Sequence, residues 1–227
     1  MTVEAKPRRK RQAITAGLDY EVRAVEAGYQ FIFGVDEVGY GAWAGPVAAG
    51  VACLPIDDTI QHALSGVRDS KAMTSRQRVA LVERIKAEAI TWGVGYVEPI
   101  KIDAIGLAAA VRLAMERALQ EAILRADITP DCVLVDGVRI AQPLYDCPHQ
   151  AIKHGDALSL SIACASVLAK VWRDQYMIDL GAQLPQYSFE KHKGYGTAKH
   201  SEALKAHGVS SVHRRSYKPI RAILEGN

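Results

Sequence analysis

The sequence has no uninterrupted run of about 18 apolar residues, the length that a membrane-spanning helix requires. Its basic N-terminus lacks the apolar stretch of a secretory signal, so we expect a cytoplasmic protein that makes no membrane contact. Cysteine is scarce, and none of the four cysteines belongs to a Cys-x-x-Cys pair, which argues against a zinc site. Internal repeats and low-complexity segments are absent as well. These absences leave the class of globular intracellular proteins.

The length and composition allow one sizeable hydrophobic core. The 227 residues are 49% hydrophobic and 23% charged. A chain of this size forms one large domain, or one domain with a small appendage.

The charge of the chain is unevenly distributed. The net charge is only +3, yet residues 1–11 hold five Lys or Arg against one Glu, and residues 186–227 hold eight against three. The centre of the chain is therefore acidic. Basic ends around an acidic centre suit a protein that binds a polyanion and holds cations in its interior. The alternative is that these runs are solvated surfaces, and that the N-terminal one is a disordered tail.

Hydrophobic patterns predict a mixed α/β fold with a five-stranded sheet flanked by helices. The predicted strands are 31–36, 47–54, 90–97, 131–137 and 149–155, and the predicted helices are 75–89, a long helix after a loop that begins at Pro99, 157–172, 197–207 and a short one from near Pro219. Because 157–172 is apolar nearly all round, we expect that helix to be central and buried. A break near 181–189 separates a core domain (18–185), which follows a basic flexible tail (1–17), from a basic helical appendage (186–227).

Four acids lie at strand ends or at a helix start. They are Asp36, Glu37, Asp136 and Asp156. The carboxyl ends of strands are where sites form in α/β sheets, and four carboxylates cannot all be ionised together without cations. Oxygen-only ligands select hard ions, so this set predicts a site for two Mg²⁺ or Mn²⁺ ions.

Each acid also has a purely structural explanation. A single Asp at a strand end is commonly a turn former, and Asp156 alone is explained as a helix cap. Successive strand residues face opposite sides, so Asp36 and Glu37 share a site only if the strand ends or bends there. Gly39 and Gly41 favour such a bend.

Six segments of the chain carry a resemblance to a known family. They are GVDEVGYGAWAGPVAAGV, RDSKAMT, VLVDG, KHGDALSLSIACASVLAKVWRD, HKGYGTAKH and HRRSY. In this order they resemble ribonuclease HII, the type 2 ribonucleases H, from about residue 18 to residue 222. The resemblance implies a ribonuclease H-like fold with a C-terminal helical appendage. It also implies metal-dependent cleavage of RNA in RNA–DNA hybrids, and on the 5′ side of ribonucleotides embedded in duplex DNA, as in ribonucleotide excision repair. The products would carry 3′-hydroxyl and 5′-phosphate ends.

The resemblance also assigns residues. The four acids match the family's metal ligands. The loop of Gly39, Tyr40 and Gly41 matches a Gly-Arg-Gly loop whose backbone contacts the ribose 2′-hydroxyl, although Tyr40 replaces the arginine. Tyr195 matches a tyrosine that packs on the nucleotide at the junction, and Ser70 and Lys71 match phosphate contacts, with Ala72 in place of a second lysine.

Other residues are assigned by their position in the same motifs. Lys193, Arg214 and Arg215 belong to the basic segment expected to contact nucleic acid, and Ser161, Ser166 and Lys170 match family positions that are equally explained by helix packing. We expect His192, His200 and His213 to be surface or phosphate-contacting residues, because their neighbours are basic.

The expected partners are RNA–DNA hybrids and ribonucleotide-containing duplex DNA, bound by a monomer. Two alternatives stay open. One is a related nuclease with relaxed junction preference, acting on RNA duplexes or other hybrids, because Tyr40 replaces arginine. The other is a nucleic-acid-binding protein without catalysis, against which the presence of all four acids speaks.

Overall fold

The structure is a computed structural model that describes residues 16–68, 73–137 and 143–226. Within them the helices are α1 (Asp19–Glu26), α2 (Asp58–Ala63), α3 (Ser75–Glu88), α4 (Pro99–Ile105), α5 (Leu107–Ala126), α6 (Gly155–Leu158), α7 (Leu160–Gln183), α8 (Phe189–His192), α9 (Ala198–His207) and α10 (Lys218–Leu224), with a 3₁₀ turn at Pro185–Tyr187. None of these helices is both long and apolar enough to cross a membrane. Ser70, Lys71, Ala72 and residues 1–15 lie outside the described residues.

The strands form one five-stranded mixed sheet, which confirms the predicted fold class. They are β1 (Ile32–Val38), β2 (Val47–Cys53), β3 (Thr91–Val97), β4 (Cys132–Asp136) and β5 (His149–Ile152). The order across the sheet is β3-β2-β1-β4-β5. The β1–β2 and β2–β3 pairs are antiparallel, and the β1–β4 and β4–β5 pairs are parallel. The parallel β1–β4 pair places the carboxyl ends of two acid-bearing strands side by side.

The two faces of the sheet are covered by different helices. Side chains such as Phe33 and Val35 of β1 pack with α5, whose small residues Ala114 and Ala118 are fully buried. The opposite face receives α7, in which residues 160–169 are all buried. This confirms the prediction of a central buried helix.

Glycine in two strands allows α7 to approach the sheet closely. A Cβ atom on Gly34 would lie 2.3 Å from the backbone carbon of Ser161, and one on Gly50 would lie 2.1 Å from the carbonyl oxygen of Ala165. No side chain fits into either gap. The helix backbone is therefore in direct contact with β1 and β2, beside the position where β1 carries Asp36.

Two helix predictions need correction. The segment after Pro99 is not a loop, because it forms α4, with Pro99 in the first turn and a break at Gly106, whose φ is +82°. The central helix extends beyond the predicted 172 to Gln183, because its second half buries Arg173, Met177 and Leu180 on one stripe. The prediction ends the helix where the continuous apolar run ends. The buried residues beyond that point recur at helical spacing instead.

The segment after residue 185 shares a hydrophobic core with α7. Its buried residues Phe189, Leu204 and Ile220 pack in one cluster with Met177 and Leu180. The break near 181–189 therefore coincides with a turn, and the two sides are joined by a continuous apolar contact.

We expect Gly50→Ala to destabilise the fold, because the added methyl group would overlap the α7 backbone. Overpacking of this kind costs about 1–3 kcal/mol, or roughly 2–4 °C in melting temperature per kcal/mol for a chain of this size. Thermal unfolding checks this. Gly17→Ala is the matched control, because its Cβ would meet only one atom, 4.0 Å away. Equal melting temperatures for the two variants would contradict the close approach.

Candidate active site

Three predicted acids meet at the carboxyl ends of β1 and β4. Val35 is aligned with Val135 in the parallel pair, and Asp36 and Asp136 follow directly. Asp156 comes from α6, immediately before α7. One carboxylate oxygen from each of Asp36, Asp136 and Asp156 lies within 4.8 Å of those of the other two.

Backbone hydrogen bonds orient these carboxylates. The Gly155 N–H donates to Asp136 Oδ1 over 2.7 Å, and the Glu37 N–H donates to Asp36 Oδ1 over 2.7 Å. The turn into α6 requires a left-handed conformation at His154, whose φ is +59°. This turn brings Asp156 and the Gly155 N–H to the end of β4.

The electrostatics of the cluster favour a bound cation. Asp36 and Asp156 are 4% and 5% exposed. Burial raises the pKa of Asp36 well above its usual value, and the charges of Glu37, Asp136 and Asp156 raise it further, against a lowering effect of the hydrogen bond with Ser166. Ionised carboxylates in such a place need a compensating positive charge. Because the donors are all oxygen, the cluster fits a hard divalent ion such as Mg²⁺ or Mn²⁺.

Glu37 is not a member of the group within 4.8 Å. The strand continues to Val38, and Asp36 is aligned with Gly50 while Glu37 is aligned with Ala49. Gly50 lies under α7, whereas Ala49 belongs to the core on the α5 side. Strand alternation therefore directs the two acids to opposite faces, and the bend that would unite them does not occur before Glu37. The assignment of Glu37 as a metal ligand stays a prediction.

The loop of Gly39, Tyr40 and Gly41 lies against the loop of Tyr195. The Trp43 N–H donates to the Gly194 carbonyl over 2.8 Å, and Ala42 forms an isolated β-bridge with Tyr195. Tyr40 is 54% exposed, so its side chain is available to a ligand. The structure thus brings together two tyrosine loops that are far apart in sequence.

Arg173 of α7 fastens both loops and was missed by the sequence predictions. Its guanidinium donates to the carbonyls of Pro46 (2.8 Å), Ala44 (3.3 Å) and Lys193 (3.0 Å). Burial lowers its pKa to about 10, so it stays charged at neutral pH. A single arginine on the buried stripe of an apolar helix is the signal that could have identified it.

Arg214, which the sequence predicts to contact nucleic acid, has a fully buried side chain. It donates to the carbonyls of Gly45 and Tyr40, over 3.0 and 3.1 Å. Its full burial leaves no side-chain surface for a phosphate in this structure, and the assignment of Arg214 as a nucleic-acid contact stays a prediction. Arg215 is exposed and Lys193 is half-buried, so both remain accessible to a polyanion.

The prediction for the three histidines is wrong. His192, His200 and His213 are 9%, 0% and 1% exposed and pack around Phe189. The Ser210 N–H donates to His213 Nδ1, so His213 carries its proton on Nε2. That proton is directed at His200 Nε2, 3.1 Å away, and His200 Nδ1 in turn donates to the Tyr195 carbonyl over 3.0 Å. His213 and His200 thus form a hydrogen-bonded chain that ends on the Tyr195 loop.

The three family positions on α7 have different contacts. Ser166 is hydrogen-bonded to Asp36, and Ser161 Oγ donates to the buried Glu21 over 2.6 Å, which fastens α1 to the start of α7. Lys170 Nζ lies 2.7 Å from Asp174 Oδ1. Asp174 also lies 3.6 Å from Arg78, which donates to the Met73 carbonyl at the end of the segment that contains Ser70 and Lys71.

Comparisons with known proteins agree on one family. A family model described as Ribonuclease HII matches residues 33–220. A curated Ribonuclease HII of Roseiflexus castenholzii is 46% identical over 202 residues, which cover 88% of each chain. The crystal structure of ribonuclease H2 from Pyrococcus horikoshii OT3 superposes with a TM-score of 0.72 at 26% identity, covering 87% of this chain and 98% of that one. Bst-RNase HIII in complex with Mn²⁺ superposes with a TM-score of 0.67 at 15% identity, covering 86% and 69%, a likeness of fold alone.

The buried histidines predict a pH dependence of stability. Burial is the main cause that lowers the pKa of His200 and of His213 to about 4, against about 6.5 in the unfolded chain. Protons therefore bind the unfolded chain more tightly, and the free energy of unfolding falls as the pH drops from about 6.5 to about 4. One pKa unit corresponds to about 1.4 kcal/mol, and we expect a loss of at least this size.

Denaturant unfolding at several pH values measures this loss. His200→Gln removes one of the two groups, so the slope of stability against pH between about 4 and 6.5 should become shallower. His62 is exposed on α2, and His62→Gln should leave the slope unchanged. An unchanged slope in His200→Gln would show that these imidazoles titrate as in water.

Proposed function

The chain belongs to the ribonuclease HII family, a family of type 2 ribonuclease H endonucleases, and on this premise we propose that its acidic cluster hydrolyses RNA in RNA–DNA hybrids with divalent metal ions. The proposal includes cleavage on the 5′ side of ribonucleotides embedded in duplex DNA. The products carry 3′-hydroxyl and 5′-phosphate ends.

The cluster of three carboxylates within 4.8 Å carries the proposal. Asp36, Asp136 and Asp156 would hold one ion, and Glu37 would contribute to a second if the end of β1 rearranges toward it. Bound Mg²⁺ or Mn²⁺ supplies activation of the attacking water and stabilisation of the leaving oxygen. The Mn²⁺ complex of Bst-RNase HIII, which shares the fold, supports the choice of ion.

The surrounding residues would bind and orient the substrate. The loop of Gly39, Tyr40 and Gly41 begins three residues after Asp36. In the proposed complex its backbone contacts the ribose 2′-hydroxyl, the group that distinguishes RNA from DNA at a single nucleotide. Tyr195 in the adjoining loop packs on the nucleotide. Lys193 and Arg215, together with Ser70 and Lys71, contact the phosphate backbone.

A relaxed preference for junctions is the second candidate. Tyr40 is exposed and stands where the family has arginine. Arginine donates several charge-assisted hydrogen bonds, whereas a tyrosine hydroxyl donates one. Recognition of a single embedded ribonucleotide would then weaken more than recognition of a long hybrid, in which many ribose groups contribute.

Cleavage of three labelled duplexes tests the function. They are an RNA–DNA hybrid, a DNA duplex with one ribonucleotide and an all-RNA duplex, each with Mg²⁺, with Mn²⁺ and with chelator. We expect cleavage of the first two only with metal, and faster cleavage of the hybrid. Retained cleavage in chelator would contradict metal dependence, and binding without cleavage under all conditions would favour a non-catalytic protein.

We expect Asp136→Asn to abolish cleavage and to leave duplex binding nearly intact. The substitution removes a charged ligand and keeps the shape of the side chain, while basic residues elsewhere still bind phosphates. Cleavage rates and a binding titration measure both effects. Asp127→Asn is the matched control, because Asp127 precedes β4 at the opposite end of that strand and its left-handed backbone suits Asn. Cleavage by Asp136→Asn at more than a few per cent of the wild-type rate would remove Asp136 from the site.

We expect Tyr40→Arg to raise cleavage at a single ribonucleotide relative to cleavage of a long hybrid. Each charge-assisted hydrogen bond regained is worth about ten- to a hundredfold in rate. The ratio of kcat/KM for the two substrates measures the effect, and Tyr40→Phe, which loses only the hydroxyl, shows what the tyrosine itself contributes. An unchanged ratio in Tyr40→Arg would show that the loop backbone alone recognises the ribose.

A further inference from the structure

The carbonyl oxygen of Tyr40 accepts two hydrogen bonds from the C-terminal segment. Arg214 Nη1 donates to it over 3.1 Å, and the Tyr217 hydroxyl donates to it over 2.5 Å. Arg214 Nη1 also donates to the Tyr217 hydroxyl over 2.7 Å, so the two donors hold each other in place. These contacts span more than 170 positions of the sequence.

A carbonyl held in this way fixes the whole Tyr40–Gly41 peptide. The peptide unit is planar, and in its trans form the N–H points opposite to the C=O. The Gly41 N–H is therefore directed away from Arg214 and Tyr217. Gly41 is exposed, and a Cβ atom on it would meet nothing within 4 Å. Gly41 is thus open to a ligand, while Arg214 and Tyr217 hold the Tyr40 carbonyl on the other side of the peptide.

Burial of Arg214 at this position costs desolvation free energy. Its side chain is fully buried, and its Nη2 has no hydrogen-bond partner among the described residues. Its Nε donates to the Gly45 carbonyl over 3.0 Å, so one side chain holds two points, Tyr40 and Gly45, of the segment between β1 and β2. A buried guanidinium that binds carbonyls and a phenol costs free energy of desolvation. In return, the hydrogen bonds of Arg214 fix the backbone conformation of the loop of Tyr40.

The turn that carries both donors is fixed from a third element. Asp103 of α4 accepts hydrogen bonds from the Arg215 N–H (2.9 Å), the Ser216 N–H (2.9 Å) and the Ser216 hydroxyl (2.6 Å). Asp103 thus restrains the two residues between Arg214 and Tyr217. Asp103 therefore acts on the loop of Tyr40 through this turn and through its charge beside Arg214.

We propose that Arg214 and Tyr217, supported by Asp103, are positioning residues that set the orientation of the Tyr40–Gly41 peptide and thereby the enzyme's selectivity for an isolated ribonucleotide. This inference rests on the proposed function, in which that loop contacts the ribose 2′-hydroxyl. A donor that is already oriented needs no reorganisation when the substrate binds. When the restraint is weakened the peptide can rotate. Cleavage efficiency at an isolated ribonucleotide then falls more than cleavage efficiency on a long hybrid, in which many ribose groups contribute.

Tyr217→Phe tests the inference by removing one donor and keeping the ring. We expect kcat/KM for a duplex with one ribonucleotide to fall about three- to tenfold relative to that for a long hybrid, the range of one hydrogen bond. Asp103→Asn should shift the same ratio in the same direction, although Asp103 touches neither Tyr40 nor the acidic cluster in any described hydrogen bond. If Tyr217→Phe fails to fold, the ratio measured for Asp103→Asn still tests the inference.

Tyr187→Phe is the matched control, because the Tyr187 hydroxyl also donates to a backbone carbonyl, that of Gly208, over 3.0 Å. It should lower the melting temperature and leave the ratio unchanged. If Tyr217→Phe lowers both rates equally, as a merely structural residue would, the inference is wrong and the proposed function stands. If the wild-type protein cleaves neither substrate, the proposed function itself fails.

Discussion

The direct contact between α7 and the sheet is the constraint on which the rest of the structure depends. Because Gly34 and Gly50 carry no side chain, the α7 backbone lies against β1 and β2. This contact brings Ser166 to Asp36, and it places Arg173, about two turns further along the helix, against the loop that follows β1. The acidic cluster and the two tyrosine loops are therefore positioned by one helix.

The site buries negative charge at one end and positive charge at the other. At the acidic end, Asp36, Asp136 and Asp156 crowd together in a buried place and leave a demand for positive charge. At the loop end, Arg173 and Arg214 are fully buried, and their described hydrogen bonds go to carbonyls and a phenol. Both arrangements cost stability, which natural proteins accept where geometry serves function. A cluster that binds cations, beside loops whose backbone is held rigid, suits an enzyme that recognises a polyanion.

The sequence predicted what depends on local pattern and missed what depends on distant partners. Alternation and strand ends were enough to place Asp36 and Asp136 together, and the apolar run was enough to bury α7. Alternation also predicts that Asp36 and Glu37 face opposite sides unless the strand bends, and β1 continues without a break to Val38. The basic neighbours of Arg214 indicate a nucleic-acid contact and give no sign of its backbone acceptors, which lie 169 and 174 positions away. The prediction for the histidines is wrong for the same reason, because burial keeps them neutral and that burial depends on how separate turns pack around Phe189.

Anomalous diffraction from crystals grown with Mn²⁺ tests the central claim most directly, because it locates the metal without reference to activity. We expect an anomalous peak among the carboxylates of Asp36, Asp136 and Asp156. We also expect the backbone of α7 to contact Gly34 and Gly50 in those crystals. A protein that binds Mn²⁺ elsewhere, or shows no peak at that cluster under conditions that support cleavage, would contradict the central claim.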